Sequence, residues 1–253
     1  MQVGRFERYA ETIRDLPPGA LTREQILGDE FLLERDGDLS IHYIPFEWVN
    51  NVARVALVGI TPGFTQMQLA YETARDGLEN GDTHSDVLRA VERTASFAGT
   101  MRANLTRMLD ELGLPALLGI EGTARLFAER DDLLHSTSAL RDPVFVQGRN
   151  YTGSAPAIDA TPMLVEKIVT GLGPELAQVP DAVVIPLGGA VERALRLLVI
   201  KGTLDADRCC FGFPHPSGAN GHRTRIFREN EDTLRDTLAE WFSRPGGTLS
   251  QRG

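Results

Sequence analysis

The sequence predicts an α/β fold: a three-layer sandwich of helices around a central, mainly parallel, four-stranded sheet. Two short, near-continuous apolar runs, VARVALVGI (52–60) and DAVVIPLGG (181–189), have the composition of strands covered on both faces, and each runs into a glycine-bearing turn. Stretches with apolar residues at helical period lie between and after them. Strands that alternate with helices build parallel sheets, because each crossover returns the chain to the same edge. With no internal repeat, low-complexity tract or interdomain linker, a single domain over 1–253 is expected, with a helical N-terminal extension over about 1–38 and a flexible tail over about 244–253 (RPGGTLSQRG).

Taken in order, residues 5–15 read as a helix ended by Pro17-Pro18, and Thr22-x-x-Gln25 has the form of a capping box opening a second, short helix. LSIHYIPF (39–46) has strand composition, and VARVALVGI follows as the first core strand. The periodic stretch 85–112 reads as helix broken near Gly99. DDLLHSTSAL is the next strand, and RDPVFVQGRNYTGSAPAIDATP, rich in turn residues, reads as irregular. PMLVEKIVTGL is helical, DAVVIPLGG a strand, AVERALRLLVIK a helix, CCFGFP the last strand and 222–242 the terminal helix.

Composition narrows the function classes. With 253 residues, 42% of them hydrophobic, the chain can bury a full core. A net charge of −9 argues against coating nucleic acid by bulk electrostatics, although Arg223, Arg225 and Arg228 gather a local basic patch at the start of the last helix. The plainer reading of those three is a solvated helix face. No apolar run approaches the roughly 18 residues of a membrane span. The start, MQVGRFERYAET, is charged where a secretory signal would be apolar, so a cytoplasmic protein without membrane partners is expected. Cys209 and Cys210 are too few for a disulfide framework, a Cys-rich zinc site or a four-cysteine iron–sulfur cluster, and read as small buried hydrophobes. Asn104-Leu-Thr and Asn150-Tyr-Thr fit the glycosylation pattern, which carries no weight without a secretory signal. Asp82-x-His84-x-Asp86 resembles a metal site superficially but reads more simply as a helix N-cap region. His42 alternates with apolar neighbours and reads as structural. No metal or other cofactor is expected.

In an open α/β sheet, ligands bind beyond the carboxyl ends of the strands. The rule selects GITPGF (59–64), HSTSAL (135–140), PLGGA (186–190) and HPSGANGHR (215–223). Neither glycine loop has the GxxxxGK[ST] or GxGxxG form, and no GxSxG elbow is present, which weighs against an NTPase, a dinucleotide enzyme and a serine hydrolase.

GITPGF after the first core strand, paired with HPSGAN after the last and followed by an arginine-bearing helix, resembles the uracil-DNA glycosylase superfamily over residues 50–235 or so. The resemblance implies a uracil-DNA glycosylase-like fold and a monofunctional DNA glycosylase, working as a monomer on DNA without cofactor. Such an enzyme flips a nucleotide out of the duplex and hydrolyses the bond between base and sugar, leaving an abasic site. Charge then develops on the departing base, and a preorganised donor such as His215 contributes on the order of 3 kcal/mol by stabilising it. The alternative for His215 is a capping or merely polar loop residue. Ser217, with Gly218, Ala219 and Asn220, would grip a phosphate, and His222, Arg223 and Arg225 would contact DNA.

The resemblance also marks departures. Thr61 stands where the family places Asp or Asn to hold the attacking water, so it would orient water without supplying negative charge. Gly59, Ile60 and Pro62 complete that loop. Gly63 stands where strict uracil enzymes put a tyrosine that blocks substituents on C5, Ser136 where an asparagine reads the base edge, and Ala219 where a leucine wedges into the stack. Phe64 and Tyr71 are candidates to stack on the flipped base, with core packing as the equal alternative. Asn150 and Tyr151, in QGRNYTG (147–153), would line an enlarged pocket or form a plain surface loop. Together these changes point to a modified pyrimidine. One candidate is glucosylated hydroxymethylcytosine of phage DNA, which superfamily members excise in antiviral defence; repair of uracil or a mismatched base is the other. Two rival classes stand beside them: a DNA-binding protein on the same fold without chemistry, and a small-molecule nucleoside hydrolase.

Overall fold

The computed structural model describes residues 4–97, 99–218 and 220–244. In chain order the elements begin with α1 (Arg5–Arg14), α2 (Arg23–Ile26), β1 (Leu32–Asp36), β2 (Leu39–His42), β3 (Val55–Gly59), α3 (Phe64–Asn80), α4 (His84–Ala95), α5 (Thr100–Glu111) and α6 (Leu114–Leu118). They continue with β4 (Leu134–Ser138), β5 (Val144–Val146), β6 (Arg149–Asn150), α7 (Pro162–Lys167), α8 (Gly173–Ala177), β7 (Val183–Pro186), α9 (Gly189–Ile200) and α10 (Arg223–Ser243). The protein is thus mixed α/β, with two sheets in two compact units. The tail expected after residue 244 lies outside the described residues.

The first unit takes the described residues of Met1–Trp48, Thr61–Ala98 and Leu140–Thr152. Its sheet is antiparallel, in the order β1-β2-β5-β6. The segment expected to be irregular after Leu140 therefore contains a hairpin, whose turn is made by Gln147 (φ 50°) and Gly148 (φ 71°). Two successive left-handed residues match the strand twist, and Gln147 is held there by hydrogen bonds to Asp38 through its backbone amide (2.9 Å) and its side chain (2.7 Å). The N-terminal segment expected to be helical also includes β1, and its helix α1 buries Phe6, Ala10 and Ile13 in the unit's core. The long helix α3 presents Met67, Ala70, Tyr71, Ala74 and Leu78 to the same core, a 3.6-residue stripe. Gly81, in the left-handed region at φ 79°, ends it. Thr83 caps α4, accepting from the Asp86 amide at 3.2 Å, so the Asp-His-Asp stretch is a helix start, with His84 edge-on to Phe6.

The second unit takes Val49–Ile60 and the described residues of Gly99–Ala139 and Gly153–Gly253. Its sheet is parallel, ordered β4-β3-β7, with Gly59 opposite Ser138 and Val58 opposite Pro186, so the three strands end at one edge. Val55, Ala56, Leu57 and Val58 in the central strand are fully buried, as a strand covered on both faces requires.

The expected fourth strand, CCFGFP, is reduced to one parallel bridge between Val184 and Cys209. Pairing stops there for local reasons. The Phe211 amide turns back to the Cys209 carbonyl (3.0 Å), Gly212 is left-handed (φ 92°), and Pro214 has no amide to donate. Arg208 fixes the approach by donating to the carbonyls of Ala182 (3.1 Å), Val179 (2.6 Å) and Leu176 (3.4 Å). Between α7 and α8 the helix widens into a π turn at Ile168–Leu172, next to Pro174, which cannot supply an i−4 bond. The break at Gly99 separates α4 from α5 as the glycine suggests.

Candidate functional site

At the carboxyl edge of the parallel sheet, β7 runs through Leu187 into Gly188, which starts α9. Gly188 sits at φ 99°, and its amide donates to the Phe213 carbonyl (3.0 Å). A Cβ at this position would stand 2.9 Å from Cβ of His215, so the close approach of the two loops needs glycine twice over, for its backbone and for its missing side chain. The segment after the Cys209 bridge thereby lies against the start of α9. Between them is a cavity of about 230 Å³ lined by Gly188, Gly189, Glu192, Gly212, Phe213, Pro214, His215, Asn220, Ile226 and Asn230.

His215 is the titratable donor of that cavity. Its Nδ1 accepts from the Ser217 amide (3.3 Å), and burial lowers its pKa from the ordinary value. Both facts make the ring neutral at pH 7 with its proton on Nε2, which makes no hydrogen bond among the described residues. The loop beyond is tied to itself. Asn220 donates its amide group to the His215 carbonyl (3.1 Å) and accepts from the His222 amide (3.2 Å), while its backbone N–H reaches the Ser217 carbonyl (3.1 Å). Arg223 donates to the carbonyls of Pro216 (3.3 Å) and Ser217 (2.6 Å), and Asn104 of α5 donates to Pro216 (3.0 Å). A neutral imidazole on a loop braced at this many points meets the condition for a preorganised donor: no reorganisation is needed when charge develops opposite it.

No family model and no solved structure matches the chain. Over 231 residues, 90% of this chain and 90% of the other, it is 42% identical to a protein of Bacillus subtilis (strain 168) named "Uncharacterized protein YoxB". The chain belongs to the YoxB family. That kinship assigns no chemistry by itself, so the side chains carry the functional argument for this YoxB-family protein.

The sequence-predicted residues divide between the two units. Gly59, the last residue of β3, accepts from the Ala139 amide (2.8 Å), and Ile60 is half-buried. Ser136 is buried in the middle of β4 opposite Leu57, two residues short of the strand exit at Ser138. Ser217 is half-buried, Gly218 and His222 are exposed, and Ala219 lies outside the described residues. Of the basic residues, Arg225 is paired with Glu229 (2.9 Å) and Arg228 with Glu231 (2.6 Å) and Glu111 (3.2 Å). Arg223, whose partners are carbonyls, keeps its charge without a carboxylate partner among the described residues.

In the first unit, the Thr61 hydroxyl donates to the Asp142 carbonyl (3.0 Å) and accepts from the Val144 amide (3.1 Å), which ties its turn to β5. One lone pair remains. Pro62 is buried, and Gly63 opens α3, its amide donating to Gln66 Oε1 (2.8 Å). The space a side chain would take at Gly63 is occupied by Asn150: a Cβ there would stand 3.0 Å from Nδ2, while Oδ1 accepts from the Phe64 amide (3.1 Å). Phe64 already carries the Arg23 guanidinium over its ring at 4.5 Å. Tyr71 is fully buried, donates to the Tyr43 carbonyl (2.6 Å) and packs on Phe31, so of its two readings the structure holds the core one, and contact with a flipped base is withdrawn. Tyr151 is also buried.

Other groups singled out in the sequence have structural places. Cys209 and Cys210 are buried free thiols, and burial pushes Cys209 up to about 12 and Cys210 higher still, so neither is a nucleophile at neutral pH. His42 is buried on β2 beside the Ser40 hydroxyl (3.2 Å). Among the described residues no group of three or more His, Cys, Asp or Glu side chains is placed to hold a metal ion.

Sequence reasoning missed Glu192 and Asn104. Asn104 was visible only as a glycosylation pattern, and Glu192 as an ordinary polar position near the start of a helix.

Proposed function

We propose that the protein is a DNA glycosylase that hydrolyses the N-glycosidic bond of a modified or damaged pyrimidine, on a fold of the uracil-DNA glycosylase kind. The observation that carries the reading is His215: neutral, with its proton on Nε2, on a braced loop beside a cavity at the carboxyl edge of a parallel sheet. Cleavage leaves negative charge on the pyrimidine. A neutral imidazole N–H stabilises that charge by hydrogen bonding without having to lose a proton first. The parallel order of β4, β3 and β7 and the bridge at Cys209 support the fold assignment, with the fourth strand of that architecture shortened to a single residue pair.

The resemblance puts position 63 against C5 of the base. Position 63 is glycine here, with no side chain to form the wall that the tyrosine of the strict uracil enzymes forms, and by the resemblance this favours a C5-substituted pyrimidine, such as glucosylated hydroxymethylcytosine of phage DNA, ahead of plain uracil. By the resemblance alone Thr61 would orient the water; its hydroxyl, bonded to the Asp142 carbonyl and the Val144 amide, keeps one lone pair that could accept a water hydrogen.

The test incubates the purified protein and His215→Ala with DNA containing uracil, mismatched pyrimidines or glucosylated hydroxymethylcytosine, and identifies any freed base by mass spectrometry. Wild-type protein is expected to release one of these bases, and His215→Ala to lose on the order of 100-fold or more in rate with its fold intact. Release undiminished by the substitution, or none from any of these substrates, refutes the proposal.

One observation favours the second reading, a hydrolase of free nucleosides: the carboxylates beside Arg225 and Arg228 offset two of the three cations at the start of α10. Base release from free nucleosides, together with DNA binding too weak to show a salt dependence, would select it.

A further inference from the structure

Glu192 lines the same cavity as His215 and belongs to neither loop motif. It lies in the first turn of α9, its own amide bonded to the Gly188 carbonyl (3.0 Å). One carboxylate oxygen, Oε2, accepts from the Gly212 amide at 2.8 Å. The other, Oε1, accepts from Arg196 Nε (2.9 Å) and Nη2 (2.7 Å), and the Arg196 guanidinium lies 4.1 Å above the Phe211 ring. Together with the start of α9, this assembly holds the chain two to four residues ahead of His215. Phe211 is covered by the cation, Gly212 is held by the anion, and the Phe213 carbonyl is held by the Gly188 amide (3.0 Å). On the other side of Gly212 stands Asn230, so close that a Cβ on Gly212 would meet its Oδ1 at 2.9 Å.

We propose that Glu192 is the positioning residue of His215: its carboxylate, itself oriented by Arg196, clamps the Gly212 amide and so fixes where the imidazole stands in the cavity. The inference rests on the glycosylase reading for its kinetic consequence but not for its geometric one. Gly212 adopts a left-handed conformation with no sheet partner, and a glycine there is free to leave it unless something holds its amide. A hydrogen bond to a charged group is among the stronger single restraints available to a backbone N–H. Because a donor displaced by about 1 Å costs on the order of 100-fold in rate, holding Gly212 affects turnover without Glu192 touching the substrate.

Two substitutions separate positioning from simple bulk. Glu192→Ala removes the acceptor, whereas Glu192→Gln keeps a carbonyl oxygen for Gly212 and removes the charge. In Glu192→Ala, hydrogen exchange at the Gly212 amide is expected to quicken by about 10-fold or more and the His215 imidazole resonances to shift. The single-turnover rate of base release is expected to fall by about 10- to 100-fold while DNA affinity stays within about 2-fold. Glu192→Gln is expected to recover exchange protection, and the rate to within about 5-fold of wild type. Unchanged Gly212 exchange and unshifted His215 resonances in a folded Glu192→Ala protein overturn the clamp, whatever the activity. A glutamine variant as slow as the alanine variant, with Gly212 still protected, overturns positioning in favour of charge. Should wild-type protein release no base, the glycosylase reading fails, and the exchange and imidazole measurements still decide the clamp.

Discussion

Replacing Thr61 with valine keeps the size and the β-branch of the side chain and deletes only the hydroxyl. Two hydrogen bonds go with it: the one donated to the Asp142 carbonyl at 3.0 Å and the one accepted from the Val144 amide at 3.1 Å. Val144 is fully buried and Asp142 half-buried, so the amide is left without access to water and the carbonyl with partial access. An unsatisfied buried group costs about 1–3 kcal/mol, and with one group fully and one partly desolvated the sum is about 2–4 kcal/mol. That corresponds to a fall in Tm of about 5–12 °C for a chain of this size. Urea unfolding followed by circular dichroism should show a lower midpoint with an unchanged slope, and Thr61→Ser, which restores the hydroxyl, should regain all but about 1 kcal/mol. A valine variant within about 0.5 kcal/mol of wild type would refute the latch and free the hydroxyl for solvent chemistry. If base release is lost as well in Thr61→Val but restored in Thr61→Ser, the remaining lone pair acts on water in addition to the latch.

Gly188→Ala should destabilise the second unit by about 2–4 kcal/mol, the sum of left-handed backbone strain and overpacking, since φ there is 99° and the new methyl would meet His215 Cβ at 2.9 Å. Hydrogen exchange across β7 and α9 would register the loss, and an alanine variant as protected as wild type would contradict the close approach. The pH dependence follows from His42, which burial first and Arg35 second pull down to about 4 against the opposing effect of Asp29. As pH falls from about 6.5 towards 4 the unfolded chain binds a proton that folded His42 refuses, so stability drops by up to about 3 kcal/mol over that window and is flat above it. Urea titrations from pH 8 to 4 should show this slope, and His42→Gln should flatten it; a slope unaltered by the substitution would assign it to other groups.

The legible parts of the fold were those fixed by local chemistry. The capping box at Thr22, the helix break at Gly99 and the strands ending at Gly59 and Pro186 follow from residue type and period, and all stand in the structure. Helix α3 was not expected: its apolar residues Met67, Ala70, Tyr71, Ala74 and Leu78 stand at helical spacing, yet Phe64 and Tyr71 were read as candidate base contacts and no helix was assigned to 64–80. The β5–β6 hairpin was not readable, because its turn is Gln-Gly in place of the usual Asn-Gly, and the left-handed glutamine is held by Asp38, over 100 residues away. The fourth strand failed for the opposite reason: its apolar composition is real, but it serves burial of Cys209, Cys210 and Phe213 against the core while Gly212 and Pro214 turn the backbone out of the ladder. At the site, His215 was legible as a histidine in a polar loop after an apolar run. Its tautomer was not, since that depends on the Ser217 amide, and neither was Glu192, whose partner Gly212 is 20 residues distant.

The arginines of α10 show how far a charge count misleads without its partners. In the sequence, Arg223, Arg225 and Arg228 form a patch; in the structure Glu229, Glu231 and Glu111 take up two of the three. Arg223 then differs in kind, because the carbonyls of Pro216 and Ser217 orient its guanidinium without neutralising it. A cation held against the loop that carries His215 attracts an anion at the loop, whereas a paired cation on the outer face of a helix contributes little at physiological salt. Under the glycosylase reading, therefore, the non-specific electrostatic part of DNA binding is small, and affinity has to come from contacts made at the loop and cavity themselves. That places the burden of recognition on the extruded nucleotide. Were the protein, with its net charge of −9, to act on DNA, it would be best served by a substrate whose modified base weakens its own stacking or offers groups the cavity can hold.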